Sequence, residues 1–365
     1  MTAHFRLALV MVAAVSCGCN TKSSVDVSSS VSESEPTKTT TPSAASDSTA
    51  EESSGENAPP TAATAGATGN APVKSQGVIA FSALTLTNPF FTVIADNLKD
   101  EAAKNGFEVI VDDADRDVKR QAEQIDSYIT RGVSAIVINP CDRSSIGPAI
   151  KKANEAGIPV FTCDLQCVAE GVKIAGHVGT DNFQGGKLAG KAMIEALGEE
   201  GGKVLILHFK QANSCVLRVD GFMEVINAYN KDRTEGKIEI VAELEGGGLR
   251  DEGFAATSGV LPSEPDLAGI FAINDPSALG AYAALAQAGK QQQVKIIAFD
   301  GQKDGKQAIK EGKIYADPIQ FPDRMGRLVM QKILKYLNGE EYEEVTLIPT
   351  ELYKQADAEK DPELD

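Results

Sequence analysis

Residues 134–164 read SAIVINPCDRSSIGPAIKKANEAGIPVFTCD, and this stretch indicates how the chain folds. Two short runs of aliphatic and β-branched residues, Ala135–Asn139 and Pro159–Cys163, flank an amphipathic segment, Ile146–Ala156, that is long enough for a helix. Gly157 stands where the left-handed C-cap of that helix is expected. A strand, a helix and a second strand in this order predict a βαβ unit with parallel strands.

The same alternation extends outward from this unit, beginning at Gly77. Continuous apolar runs favour strands that are covered on both faces, and Gly106, Gly132 and Gly289 again follow helical segments. The other predicted strands are Val78–Ala83, Phe107–Asp112, Lys173–Val178, Lys203–His208, Ile238–Leu244, Gly269–Ile273 and Val294–Phe299. The other predicted helices are Phe91–Asn105, Lys119–Arg131, Asn182–Leu197, Val216–Asn230 and Ala278–Ala288.

The number of strands exceeds what one doubly wound sheet of ordinary size holds, and the pattern pauses near Gly176–Asp181. The sequence therefore predicts an α/β protein with two doubly wound, parallel-sheet lobes. A length of 365 residues also favours roughly two domains.

The net charge of −17 makes general nucleic-acid binding improbable, because contacts to phosphates need an excess of cations. A neutral small ligand fits this composition better. The chain has only three His, no Trp and 5% aromatic residues, so a ring in a predicted binding loop carries extra weight.

The N-terminal region has the composition of an export signal followed by a tether. The apolar run Leu7–Val15 is too short to cross a bilayer permanently, since that needs roughly 20 residues. Small residues before Cys17 are typical of a bacterial lipoprotein signal, so we expect a signal peptide at 1–17 and lipidation of Cys17, with Cys19 as the alternative. Residues 18–76 are rich in Ser, Thr, Ala, Glu and Pro, which predicts a disordered tether.

Polar side chains follow several predicted strands: Asn139, Asp164, Asn274 and Asp300. Each one alone is typical of a helix N-cap or a turn. Ligands of open α/β sheets bind beyond the carboxyl ends of the strands, so together these side chains predict a binding site.

Two adjacent rings, Phe90 and Phe91, and the amide of Asn88 lie on the loop after the first strand. A sugar has apolar C–H faces and a hydroxyl edge, which match aromatic rings and amides or carboxylates respectively. The alternative is that one of the two rings only packs the helix.

From Gly77 to about Tyr353 the chain resembles the periplasmic sugar-binding proteins of ABC importers, in particular those of the ribose-binding type. Each shared stretch is weak alone, but their order along the chain is specific. They are Thr87-Asn88-Pro89-Phe90-Phe91, Arg131-Gly132, Ile138-Asn139-Pro140, Ala156-Gly157-Ile158-Pro159-Val160, Asp181-Asn182, Gly185-Gly186-Lys187, Arg218 before Gly221-Phe222, Phe271-Ala272-Ile273-Asn274-Asp275, Ala298-Phe299-Asp300-Gly301, and Gln320 before Pro322-Asp323.

The resemblance implies two lobes that close on a ligand around a three-segment hinge, with crossings near Gly179, Gln320 and Leu347. It implies an N-terminal lobe of 77–179 plus 321–347, a C-terminal lobe of 180–320 plus 348–353, and an acidic tail of 354–365. The polyol would be hydrogen-bonded by Asn88, Asn139, Asp164, Arg218, Asn274, Asp300 and Gln320, with Phe90 and Phe91 as the aromatic wall.

Two positions depart from the ribose-binding pattern. Leu165 stands where those proteins carry an Arg, and the glycine run Gly246–Gly248 stands where they place a Phe of the second lobe. A site that lacks these partners leaves hydroxyls unpaired at roughly 1–3 kcal/mol each. We therefore expect a sugar or polyol other than plain ribose, including larger or more apolar ones.

Four cysteines follow the signal region: Cys141, Cys163, Cys167 and Cys215. An exported protein can keep disulfides, and Cys163 with Cys167 is the candidate pair, with buried free thiols as the alternative. Their spacing lacks the paired short knuckles of a zinc site.

Competing functions are less compatible with the sequence. Glycine-rich nucleotide loops and a nucleophile elbow are missing, and His177 and His208 are isolated, so we expect no enzyme and no cofactor. A transcription regulator would need a DNA-binding helix-turn-helix. We expect a monomeric, lipid-anchored protein of the periplasm or outer cell envelope that delivers its sugar to an ABC permease; the alternative is a sensor that presents it to a chemotaxis or signalling receptor.

Overall fold

The computed structural model describes residues 76–364, and all the predicted strands occur in it. Their bounds differ from the prediction by at most three residues, as at β5, which begins at Gly176 instead of Lys173. Three further strands follow near the end of the chain. The strands are β1 (Gly77–Ala83), β2 (Phe107–Asp113), β3 (Ala135–Ile138), β4 (Val160–Cys163), β5 (Gly176–Thr180), β6 (Gly202–His208), β7 (Ile238–Glu245), β8 (Leu267–Ala272), β9 (Lys295–Ile297), β10 (Ala316–Ile319), β11 (Val345–Ile348) and β12 (Glu351–Lys354).

The predicted helices are also present, and the described residues contain four more, which are α6, α8, α9 and α10. Gly106, Gly132, Gly157 and Gly289 all have positive φ, as expected for residues that end helices. The helices are α1 (Pro89–Lys104), α2 (Val118–Arg131), α3 (Gly147–Glu155), α4 (Asn182–Leu197), α5 (Asn213–Asn230), α6 (Arg250–Val260), α7 (Asp275–Gln287), α8 (Lys303–Lys310), α9 (Pro322–Leu337) and α10 (Gln355–Ala358).

The strands form two six-stranded sheets of similar design. The first has the order β11-β5-β4-β3-β1-β2 and is parallel throughout. The second has the order β12-β10-β9-β8-β6-β7 and is parallel except for β12, which runs antiparallel to β10. The prediction of two doubly wound lobes is confirmed.

Helices cover both faces of each sheet because successive strand residues point in opposite directions. In the first sheet Ile79 and Phe81 pack with residues of α1 and α9, whereas Ala80 between them packs with α2 and α3. The second sheet repeats this pattern, since Ile206 packs with α4 and α5, and Leu207 with α6 and α7. This double cover explains the continuous apolar runs in the sequence.

The chain passes between the two sheets three times. It leaves β5 for α4 after Thr180, returns from β10 to α9 through Gln320 and Phe321, and crosses again between β11 and β12 through Pro349 and Thr350. These are the three segments of the predicted hinge.

The acidic C-terminal segment packs on the second lobe instead of extending from it. Lys306 on α8 forms ion pairs with Asp361 at 3.1 Å and Glu363 at 2.9 Å, and Ala358 is fully buried. The Tyr353 hydroxyl donates to Asp361 Oδ2 at 2.8 Å.

The candidate pair Cys163 and Cys167 does not form a disulfide, since all four cysteines of residues 76–364 are free thiols, the alternative that the sequence left open. Cys163 belongs to the core on one face of the first sheet, whereas Cys167 packs with the core on the other face. Closeness in sequence therefore does not bring these two sulfur atoms together.

The predicted signal peptide, lipidation at Cys17 or Cys19, and nearly all of the predicted tether lie outside the described residues. Between residues 76 and 364 no helix combines the length and apolar character needed to cross a membrane.

Candidate functional site

A chamber of about 50 Å³ lies between the lobes, at the carboxyl ends of their central strands. Residues of both lobes line it, including all but one of those predicted from the sequence. The predicted residues that line the chamber are Asn88, Phe90, Phe91, Asp164, Arg218, Asn274, Asp300 and Gln320.

Asn139 is the predicted residue that the structure does not bring to the chamber. Its side chain is fully buried, and its Nδ2 donates to the Cys163 carbonyl at 2.6 Å. Its own carbonyl accepts from Gln121 Nε2 at 2.9 Å. Asn139 ties the end of β3 to the end of β4 through its Nδ2, while its Oδ1 has no donor among the described residues. The structure places Asn139 outside the lining of the chamber, and its contact with a ligand stays a prediction.

A buried ion pair, Arg218 with Asp300, forms the floor of the chamber. Arg218 Nη1 lies 2.9 Å from Asp300 Oδ1, and both side chains are more than nine-tenths buried. Arg218 Nε donates to Asn182 Oδ1 at 2.8 Å, Nη1 also donates to the Ile273 carbonyl, and the guanidinium stacks 3.8 Å from the Phe299 ring centroid. These contacts fix the guanidinium before any ligand arrives.

Gln320 connects this ion pair to the hinge. Its Nε2 donates to Asp300 Oδ1 at 2.6 Å, and its Oε1 accepts from the Thr180 hydroxyl at 2.6 Å. Thr180 ends β5 and Gln320 follows β10, so one hydrogen-bond chain joins two of the three crossings to the floor of the chamber.

Asp164 lies opposite this floor and holds an unsatisfied oxygen. Its carboxyl is buried, and no donor among the described residues reaches its Oδ1. Burial raises the pKa of Asp164 to about 7; Arg218 opposes this rise and Asp300 adds to it. A buried acceptor without a donor is costly, and a ligand hydroxyl would supply the missing donor.

Asp164 and Asp300 also share an unusual backbone. Their φ angles are 58° and 117°, in the left-handed region that residues with a Cβ rarely adopt. Strain of this kind concentrates at binding sites, where the surrounding structure imposes it. Both carboxylates therefore have their position set by the fold.

Asn88 and Asn274 serve as helix caps as well as lining the chamber. Asn88 Oδ1 accepts from the Phe90 amide at 3.0 Å at the start of α1. Asn274 Oδ1 accepts from the Ser277 amide at 3.1 Å, and its Nδ2 donates to the Gly248 carbonyl at 3.0 Å. A side chain can therefore cap a helix and line the chamber at the same time, because a helix that begins at a strand end has its N-cap residue at the cleft.

Rings line the chamber from both lobes. Phe90 and Phe91 lie edge to face with centroids 5.4 Å apart, and both are more than nine-tenths buried. Phe209, which follows β6, adds a ring from the second lobe. The expectation that this lobe lacks a ring is therefore corrected: Gly248 does line the chamber, but Phe209 supplies a ring from another strand end. Leu165 lines the chamber as well.

Arg116 is a lining residue that sequence reasoning missed. It lies after β2 with φ of 61°, and its guanidinium donates to the Gly247 carbonyl of the other lobe and lies 4.8 Å from the Phe209 ring centroid. Its position in a charged run, DDADRD, gave no signal for this role.

A second group of contacts joins the lobes at Arg143 and Asn213. The Arg143 amide donates to the Gln211 carbonyl at 2.9 Å, and Asn213 Nδ2 donates to Gln166 Oε1 at 2.8 Å. With the Arg116 contacts these hydrogen bonds hold the cleft shut.

A larger groove of about 760 Å³ adjoins the chamber and shares Asn88, Phe90, Arg116, Asp300 and Gln320 with it. The chamber is well below the roughly 300 Å³ at which ligand pockets usually begin. A ligand of ordinary size would therefore need the adjoining end of the groove as well as the chamber.

The histidines of the two lobes have local partners. His177 Nδ1 is hydrogen-bonded to the Thr162 hydroxyl at 2.9 Å, and burial lowers its pKa to about 4. His208 Nδ1 accepts from the Phe209 amide at 2.7 Å.

Two parallel-sheet lobes, three hinge segments and a polar chamber between the strand ends define a two-lobe solute-binding receptor. Residues 79–341 match the family model described as "periplasmic binding protein domain", so the chain belongs to the periplasmic binding protein family. Its resemblance to ribose-type members is confirmed. The chain is 34% identical over 275 residues to the ribose import binding protein RbsB of Escherichia coli. The matched region covers 75% of this chain and 89% of that protein.

Solved structures of other members share the fold. One is a periplasmic solute-binding protein of an ABC transporter from Actinobacillus succinogenes with bound D-allose, at a TM-score of 0.70 and 27% identity, covering 78% of this chain and 100% of that one. Another is a solute-binding protein of an ABC transporter from Bacillus halodurans with bound myo-inositol. It has a TM-score of 0.70 and 28% identity, and the match covers 79% of this chain and 97% of that one. These relatives are described as binding proteins.

Proposed function

We propose that this protein is an extracytoplasmic solute-binding lipoprotein that captures a sugar or polyol between its lobes and delivers it to an ABC permease. One observation carries the proposal: Asp164, Arg218, Asp300 and Gln320 converge on one buried chamber between two lobes. A cyclic polyol offers hydroxyls that both donate and accept, which suits this mixture of carboxylates, guanidinium and amide. The ligands named for relatives, ribose, D-allose and myo-inositol, share this chemistry.

Binding by closure follows from how the polar groups are distributed. The Arg218–Asp300–Gln320 array is already ordered on the second lobe, while Asp164 Oδ1 on the first lobe has no donor within the part of the chain that the structure describes. A polyol held by the array would give Asp164 its donor only when the lobes are shut. Ligand and closure would therefore stabilise each other, together with the Arg116 contacts to Gly247.

The first experiment is a thermal-shift screen of the purified chain against pentoses, hexoses, sugar alcohols, inositols and nucleosides, followed by calorimetric titration of each hit. A ligand that binds only the native state raises the melting temperature. Failure of every sugar and polyol to shift it would overturn the proposed ligand class. The groove beside the chamber is the reason to include larger derivatives.

Lipid anchoring at Cys17 is the second part of the proposal, and it rests on the signal-like sequence. Expression of the full chain in a bacterium with labelled palmitate should label the wild type and the Cys19→Ser variant but not the Cys17→Ser variant. Labelling lost only in Cys19→Ser would move the anchor to Cys19, and no labelling in any of them would contradict an anchor.

Delivery to a permease is tested by co-purification of the closed, ligand-bound protein with the permease encoded in the same organism. Stimulation of its ATPase activity by liganded protein supports delivery. Stimulation of a chemotaxis or signalling receptor instead would favour the sensor alternative.

A further inference from the structure

Two buried carboxyls, Asp275 and Asp317, lie within hydrogen-bonding reach of each other beside the chamber, and neither is among the predicted site residues. Asp275 begins α7 and is 1% exposed, and Asp317 lies within β10 and is fully buried. The Oδ1 atom of each has no donor among residues 76–364. Two neighbouring acceptors without donors repel each other unless a proton lies between them.

The other oxygen of each carboxyl holds the loop that follows Asp300. Asp275 Oδ2 accepts from the Gln302 amide at 2.7 Å, and Asp317 Oδ2 accepts from the Gly301 amide at 3.0 Å. The two carboxyls thus bind consecutive amides of one short loop, directly after the ligand-facing carboxylate.

The strand that carries Asp317 also fixes Asp300 through the backbone. The Asp300 amide donates to the Pro318 carbonyl at 3.2 Å, and the Gln320 amide donates to the Asp300 carbonyl at 2.8 Å. This support is needed because Asp300 has the strained φ of 117°. A shift of the loop would therefore move the carboxylate that pairs with Arg218.

Both side chains are buried, although Asp275 borders the groove that adjoins the chamber. A Cβ at Gly305, in α8, would overlap the Asp275 carboxyl, so this helix lies directly against it. Burial raises the pKa of both Asp275 and Asp317; the charge of Asp317 adds to the rise at Asp275, and the charge of Asp300 adds to it at both. The other charged and titratable groups that face this region are Arg218 in the chamber, Lys303, Asp304 and Lys306 on α8, and Tyr353 on β12 opposite Asp317.

We propose that Asp275 and Asp317 share one proton and act as positioning residues that hold the 300–302 loop, and with it Asp300, in the geometry that grips the ligand. Asp275 donates the shared proton to Asp317, and each carboxyl keeps its hydrogen bond to the loop. Loss of that proton leaves two adjacent carboxylates, which repel and displace the loop. The link to ligand binding rests on the proposed function.

The sign of the pH dependence follows from the raised pKa values. The native pair holds a proton that the unfolded chain has released, so stability is full below the ordinary carboxyl pKa and falls as pH rises toward the pKa of the pair. Within that window one proton changes the folding equilibrium by about tenfold per pH unit.

The test compares Asp275→Asn with wild type, because an asparagine here can donate to Asp317 and accept from Gln302 without a titratable proton. In urea unfolding followed by circular dichroism from pH 5 to pH 9, the unfolding equilibrium constant of wild type should rise about tenfold more per pH unit than that of Asp275→Asn below the pKa of the pair, and this difference should level off above it. Asp251→Asn, an exposed carboxyl on α6, is the matched control and should follow wild type. Asp317→Asn should flatten the slope as Asp275→Asn does.

The ligand readout uses D-ribose, D-allose and myo-inositol over the same pH range. Wild-type affinity should fall about tenfold more between pH 6 and pH 9 than that of Asp275→Asn, and both should bind alike at pH 6. Equal pH slopes in wild type and Asp275→Asn would overturn the shared proton. If wild type binds none of these ligands, the proposed function loses support, while the urea series still decides the carboxyl pair.

Discussion

The two walls of the chamber are built differently. The first lobe contributes mainly apolar surface, with Phe90, Phe91 and Leu165 around one isolated carboxylate, Asp164. The second lobe contributes an ordered array in which each polar group has partners, as in the Arg218–Asp300 pair. An array that is already paired costs little to order on binding, whereas no donor among residues 76–364 reaches Oδ1 of the isolated carboxylate, and a ligand hydroxyl would supply one. On the proposed function, the second lobe would select the ligand, and the carboxylate of the first lobe would gain its partner only when the ligand is bound.

Breaking the ordered wall should have the largest effect. Asp300→Ala leaves Arg218 buried without its counter-ion, at about 3–5 kcal/mol, and we expect the affinity for the sugar to fall on the order of a thousandfold. Calorimetric titration measures the loss. Asp300→Asn, which keeps the shape and an acceptor for Arg218, should lose less of both affinity and thermal stability; equal binding by Asp300→Ala and wild type would contradict the assigned site.

Replacing Asp164, the isolated carboxylate, should have the next largest effect. The effect is on the free energy of unfolding, and it should depend on pH. Because the pKa of Asp164 is raised to about 7, its native neutral form stabilises the fold at low pH, and this contribution is lost as pH rises from about 4 to 7. Asp164→Asn should remove an unfolding free-energy change on the order of 1–4 kcal/mol over that range. Unfolding in urea at several pH values checks it, and an unchanged pH profile would show that Asp164 does not titrate there.

Truncating the apolar wall should weaken binding moderately. Phe90→Ala removes a ring from the chamber, and we expect a loss of about 1–3 kcal/mol in binding the sugar. Titration at constant pH, together with the melting temperature of the free protein, separates lost contact from lost stability. Phe91→Ala is the matched variant, and a loss only there would assign the contact to Phe91.

The smallest expected effect concerns preference among sugars. Leu165→Arg adds hydrogen-bond donors to the apolar wall, which should change the ratio of affinities for pentoses and hexoses by roughly tenfold while lowering stability. Parallel titrations with D-ribose and D-allose measure the ratio. A ratio equal to that of wild type would show that this position does not set specificity.

Much of the fold could be predicted because its signals are local. The βαβ unit of residues 134–164 shows apolar runs, an amphipathic helix and Gly157, each readable within a few residues. The later strands β10 to β12 were harder to predict, since they are short and β10 contains Asp317 and Pro318. Their assignment depends on pairing with strands distant in sequence.

For the site, the sequence predicted most of the lining residues because polar residues at strand ends are visible in it. Asn139 shares that pattern, yet its side chain bonds to the neighbouring strand. Arg116 lies in a charged run with no such pattern, and only the approach of the second lobe gives it a role. Phe209 likewise became a lining ring because β6 ends at the cleft.

The order of elements, the doubly wound class and the chemical types at the strand ends were determined by the sequence, since apolar periodicity and caps act over a few residues. The tertiary structure decided which polar groups meet across the lobes, where the backbone is strained, and that Asp275 and Asp317 are neighbours. These features depend on contacts between distant segments, and burial there changes what a carboxyl group does.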